Sequence, residues 1–165
     1  MPSAGAVQSD AVTATALLFV AAWAAAAAVL LRARPDEWRT LAPRVRTARR
    51  LWTLGLALHV VHVGCAFALA HAWSHAAAVR HVAATGGFGW GIAVNYLFAA
   101  AWAADAGWWW ANPVGYATRP RSVGLAVHGF LAFVTFNATV VFGTNEVRAT
   151  GAVAFAGLAV LWSRR

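Results

Sequence analysis

The chain has 165 residues, of which 61% are hydrophobic and only 11% charged, against roughly 25% charged in an ordinary soluble domain. That composition argues against a soluble fold, because no single aqueous core absorbs several apolar runs of about 20 residues. The net charge of +8 comes entirely from arginine and lies between the apolar runs. This is the pattern of a membrane protein's inner loops, and no basic face with stacking aromatics is present to bind nucleic acid.

The expected fold is all-α: one integral membrane domain over residues 1–165 with five transmembrane helices. The first apolar run is 11–31, about 31 Å long at 1.5 Å per residue, which matches the hydrocarbon core. Ser9 or Asp10 can cap it. No basic residue precedes it, so it reads as a retained helix rather than a cleaved signal peptide. Its alanines suit close helix packing in lipid.

Residues 32–50, RARPDEWRTLAPRVRTARR, hold seven arginines against Asp36 and Glu37. Pro35 and Pro43 are expected to break regular structure there. The stretch reads as a cytoplasmic loop lying on anionic lipid headgroups; a docking surface for a soluble partner is the alternative.

The second span, 51–72, opens the stretch from Leu51 to His75 that carries His59, His62, His71 and His75, four of the six histidines. Trp52 and Trp73 are expected as interfacial anchors at its ends. Residues 73–87 form a short outer loop, a continuation of the helix, or a separate interfacial helix capped by Ser74 and ended by Gly86 and Gly87. The third span, 88–110, contains Asn95 and Asp105 and closes on Trp108, Trp109 and Trp110, which read as an aromatic belt. The fourth, 123–142, carries His128, Thr135, Asn137 and Thr139. The fifth, 147–162, covers about 24 Å and spans only with snorkelling of Arg148 or local thinning.

Arginines divide the loops. Eleven fall on one side, leaving only Arg80 and Arg148 on the other. The positive-inside rule then places the amino terminus outside and the carboxyl terminus inside. The expected location is the cell membrane, or the inner membrane of a bacterium, with multiple passes.

At about 100° per residue, His59 and His62 lie about 60° apart, and His71 and His75 about 40° apart, with the two pairs on nearly opposite faces. Gly55, His59, His62 and Ala66 share a narrow face whose small residues mark it as packed. The fourth helix has a matching face of Gly124, His128, Ala132, Thr135 and Thr139. His59 or His62 could therefore oppose His128 and ligate a single haem b, with Trp102, Phe130 and Phe133 lining the pocket. Ordinary interhelical hydrogen bonds are the alternative.

Asp105 could snorkel, pair with Arg119 or Arg121, or serve a proton relay beside His59 or His128. Asn95 reads as a helix–helix hydrogen bond or a polar step on such a path. At the other surface His71, His75 and His81 cluster near Glu146, a candidate copper or zinc site. HAWSH lacks the glutamate of a zinc-protease helix, and no nucleotide or nucleophile motif occurs. Cys65 stands alone, without a CxxC motif.

Three functions fit. The first is a non-enzymatic subunit or accessory protein of a membrane complex, with a membrane protein or a second copy as partner. The second is a single-haem redox or quinone-linked membrane protein. The third is a metal-ion or proton pathway through His62, His59 and Asp105.

Overall fold

The computed structural model describes residues 4–164, with side chains described from residue 8. Every regular element among these residues is helical: α1 (Ala4–Arg32), α2 (Pro35–Arg39), α3 (Pro43–Cys65), α4 (His75–Gly86), α5 (Gly91–Ala111), α6 (Pro113–Ala117), α7 (Arg121–Phe136) and α8 (Asn145–Ser163). Two of them, α3 and α7, run on into single π-helical segments, Ala66–Ala70 and Asn137–Val141.

Three helices are long and apolar enough to cross a membrane: Gln8–Arg32, Pro43–Ala70 and Arg121–Val141. The other two long helices differ in composition rather than length. α5, with 21 residues, and α8, with 19, extend about 31 Å and 28 Å. Tryptophan, Asn95 and Asp105 lower the mean hydropathy of α5, and Glu146 and Arg148 lower that of α8.

α1 lies along α3 and also meets α8; α5 packs between α3 and α7, and α4 rests on α5. The core is aromatic: Trp23, Trp52, Phe98, Trp102 and Trp109 are buried with Val20 and Leu131. Gly55 brings α3 and α5 together, since a Cβ there would stand 2.9 Å from the Trp102 ring. Only the Gly55 end of the expected face is packed in this way; His59, His62 and Ala66 line a cavity instead.

Several boundaries differ from the sequence-based expectation. Pro35 and Pro43 do not interrupt structure; each sits in the first turn of a helix, where its missing N–H costs nothing and its fixed φ suits the helix. Arg44, Arg46, Arg49 and Arg50 therefore ride on α3. The connection is pinned by Arg44, whose Nη1 donates to Glu37 Oε1 at 2.8 Å, and by Arg46, which donates to the Leu41 carbonyl at 2.9 Å. The Arg34 backbone N–H, 2.8 Å from Glu37 Oε2, holds that carboxyl below its usual range, with help from Arg44.

The histidine-bearing helix stops at Ala70. Ala72 and Trp73 adopt left-handed φ values of 47° and 60°, which turn the chain into α4. The Ser74 hydroxyl caps α4 by accepting from the Ala77 N–H at 3.2 Å, and Gly87 ends it at φ 85°. Trp52 and Trp109 are not interfacial anchors: each is 1% exposed. Trp73, Trp108 and Trp110 do face outward.

The bundle thus has two unlike ends. At the arginine end lie α2, α6, the start of α3 and the end of α8. The histidine end gathers the start of α1, both π segments and α4.

Candidate functional site

Near the arginine end, six residues before α5 terminates, Asp105 forms the centre of a closed polar clamp. Its carboxylate accepts from Trp52 Nε1 at 3.0 Å and from the Tyr116 hydroxyl at 2.9 Å, both on Oδ2. Oδ1 accepts from Arg119 Nη1 at 2.9 Å. The same guanidinium reaches His128 Nε2 at 2.8 Å; arginine can only donate, so this ring nitrogen is the acceptor. Side-chain exposure is 2% for Asp105 and 9% for Arg119.

Each member is placed by a local signal. Asn112 Oδ1 accepts from the Gly115 N–H at 2.8 Å, which starts the short helix α6 and brings Tyr116 round. Tyr116 then stacks on Trp109, centroids 4.5 Å apart and nearly parallel, while Arg119 lies 3.6 Å over its other side. Burial and the negative charge of Asp105 hold the Tyr116 phenol well above its usual range, so it stays a neutral donor. Burying an ion pair is expensive unless the remaining polar sites are also paired. Here the carboxylate is met from three directions, so the clamp is a satisfied network.

At the histidine end the bundle opens into a cavity of about 620 Å³ between α1, α3, α4, α5, α7 and α8. Its wall is mostly apolar, and none of its lining residues is Asp, Glu, Lys or Arg. Both π segments contribute to it, through Phe67 and Ala138 among others. Such π insertions widen a helix locally and recur at functional sites.

His59 lines the cavity at 8% exposure, and neither of its ring nitrogens has a hydrogen-bond partner. Rings surround it instead: Phe98 and Phe19 edge-on at 4.9 and 5.3 Å, and Trp102 stacked at 6.0 Å. Thr135, 1% exposed and also in the wall, has an unpaired hydroxyl. His62 differs: its Nδ1 lies 3.2 Å from Thr15 Oγ1. That hydroxyl sits 2.9 Å from the Val12 carbonyl, which takes its hydrogen and leaves His62 as the donor.

The haem pairing expected from His59 or His62 with His128 is not assembled. Trp52 and Trp102, 5.0 Å apart, stand between them: Trp52 lies 5.0 Å from His128, and Trp102 6.0 Å from His59. His128 Nε2 is already held by Arg119. Trp102 fills the supposed pocket rather than lining it, and Phe133 is 65% exposed.

The outer metal cluster is likewise not formed. His71 and His81 approach with centroids at 5.2 Å, but His75 Nδ1 contacts the Tyr96 hydroxyl at 2.8 Å. No group of three or more His, Cys, Asp or Glu residues able to hold a metal ion occurs among the described residues, Glu146 included. Burial and the neighbouring His81 lower the pKa of His71. Asn95 lies in the cavity wall and takes no part in the clamp.

Sequence reasoning named Arg119 as a candidate partner of Asp105 but missed Trp52 and Tyr116. Trp52 carried the signature of an anchor, and Tyr116 lies in a Pro- and Gly-containing connection with no periodicity. Comparison with protein families, curated proteins and solved structures gave no match.

Proposed function

We propose that the chain is a multi-pass protein of the cell membrane, with five spans, that acts as a non-enzymatic subunit or accessory protein of a membrane complex. The two spans beyond those flagged by hydropathy are α5 and α8. Their lengths suit the bilayer, and both pack on helices long and apolar enough to span, α5 on α3 and α7, and α8 on α1. The arginine end then lies in the cytoplasm against anionic headgroups, and the amino terminus outside.

The observation that carries this reading is the closure of the clamp. An ionisable group at membrane depth usually marks chemistry or transport, but Asp105 and Arg119 are bonded to each other and to side chains of α3, α6 and α7. They hold helices together. Among the described residues little chain lies outside the long helices, which supports action through a partner in the bilayer. A proton or ion pathway ranks below it, because a route from His59 to Asp105 must cross the paired rings of Trp52 and Trp102.

Native mass spectrometry of the protein released from its own membranes in mild detergent tests the proposal. A second polypeptide, or a second copy of this chain, should be retained in fixed stoichiometry. A monomer that turns over a substrate or carries ion flux in liposomes alone would overturn it.

A further inference from the structure

We propose that the cavity at the histidine end binds a neutral, largely apolar molecule with carbonyl oxygens, of the quinone class, and that His59 and Thr135 are its polar contacts. The proposal stands whether the chain acts alone or as a subunit. The cavity's volume of about 620 Å³ falls within the range of small-molecule sites, and its surface is mostly apolar, with His59, His62, Asn95, Tyr96 and Thr135 among its polar side chains.

Charge narrows the ligand. No Asp, Glu, Lys or Arg lines the space, so no permanent charge there offsets a ligand charge, and desolvating an ion in it would be costly; the titratable groups that face it are the imidazoles of His59, His62, His71 and His81. A metal ion lacks a ligand set among the described residues. A neutral molecule remains.

Hydrogen bonding narrows it further. Buried polar groups in folded proteins almost always have partners, and an unpaired one calls for an explanation. His59 and Thr135 are each more than nine-tenths buried, unpaired, and in the same wall, one on α3 and one on α7. Each can donate: the neutral imidazole has one N–H and the threonine one O–H. Both groups are covered in this structure, so each meets an occupant by turning, the imidazole about its soft χ2 torsion and the threonine about χ1. Two donors on separate helices fit a molecule with two acceptor oxygens better than one with a single hydroxyl.

Shape agrees. Phe19 and Phe98 already surround the His59 ring with aromatic edges, the contact geometry that a flat conjugated ring favours. The apolar remainder of the wall, running past Leu69 and Val82, suits an attached hydrocarbon chain arriving from the bilayer.

The test uses the full chain in nanodiscs, titrated with a benzoquinone bearing two isoprene units, with tryptophan fluorescence as readout. Trp102, stacked on His59 at 6.0 Å, places a fluorophore beside the site. Saturable quenching is expected, with Kd weakened about tenfold in the near-isosteric Thr135→Val variant and in His59→Phe, the loss of one net hydrogen bond. Phe133→Leu, on an exposed face, should bind as the native chain does. An arene of the same size without oxygens should bind the native chain more weakly, and should not distinguish native from Thr135→Val protein. Should His59→Phe fail to fold, the Thr135→Val and arene comparisons decide alone. Non-saturable quenching, equal affinity for quinone and arene, or an unchanged Kd in Thr135→Val overturns the proposal.

Discussion

Asp105 and Arg119 show how a buried charge can be structural. Removing one partner strands the other in a place from which water is excluded, and breaking such a pair costs about 3–5 kcal/mol, whereas replacing both with apolar side chains is often near neutral. Asp105→Ala should therefore lower the melting temperature in detergent more than the double variant Asp105→Ala with Arg119→Met does. A loss in the double variant equal to the sum of the two single losses would mean that the two act independently, contrary to the geometry. The pairing was partly legible in sequence: an aspartate near the end of an apolar run, with two arginines in the next connection, made Arg119 one of two candidates. What could not be read was the pair of aromatic donors. Trp52 and Tyr116 become donors only because α3 and α6 are brought to the same carboxylate, and no local pattern encodes that convergence.

At the scale of helices, glycine sorts into two kinds. A Cβ added at Gly55 would meet the Trp102 ring, whereas one added at Gly64 or Gly129 would meet nothing within 4 Å. Alanine has the higher helix propensity by about 1 kcal/mol, but overpacking costs about 1–3 kcal/mol. Gly55→Ala should lower thermal stability in detergent, while Gly64→Ala and Gly129→Ala leave it unchanged or raise it. A uniform response across the three would remove the case for a tight α3–α5 contact. The apolar runs made every long helix visible, and Gly55 was legible as part of a packed face. Helix starts were misread because proline serves equally as a breaker and as a first-turn residue. The π segments were invisible, since Ala66–Ala70 continues the apolar pattern and the polar Asn137 and Thr139 of Asn137–Val141 suit an ordinary α-helix equally. The cavity they help to form was invisible for the same reason.

For the molecule as a whole, the arginines make a test of topology. Single cysteines placed at Thr40, Thr85 and Ser163, in a Cys65→Ala background, should respond differently to a membrane-impermeant thiol reagent. Thr85→Cys should label in intact cells, and the other two only after permeabilisation. Labelling of Ser163→Cys from outside would rule out the fifth span. The same view of the molecule brings out a consequence of the clamp. A transmembrane voltage does work only on net charge displaced along the field, about 2.3 kcal/mol per elementary charge per 100 mV. Asp105 and Arg119 cancel, and they are bound to each other at 2.9 Å, so any shift in depth carries both together. In the proposed membrane setting the clamp is therefore electrically silent: moving it in depth displaces no net charge, so the voltage does no work on that movement.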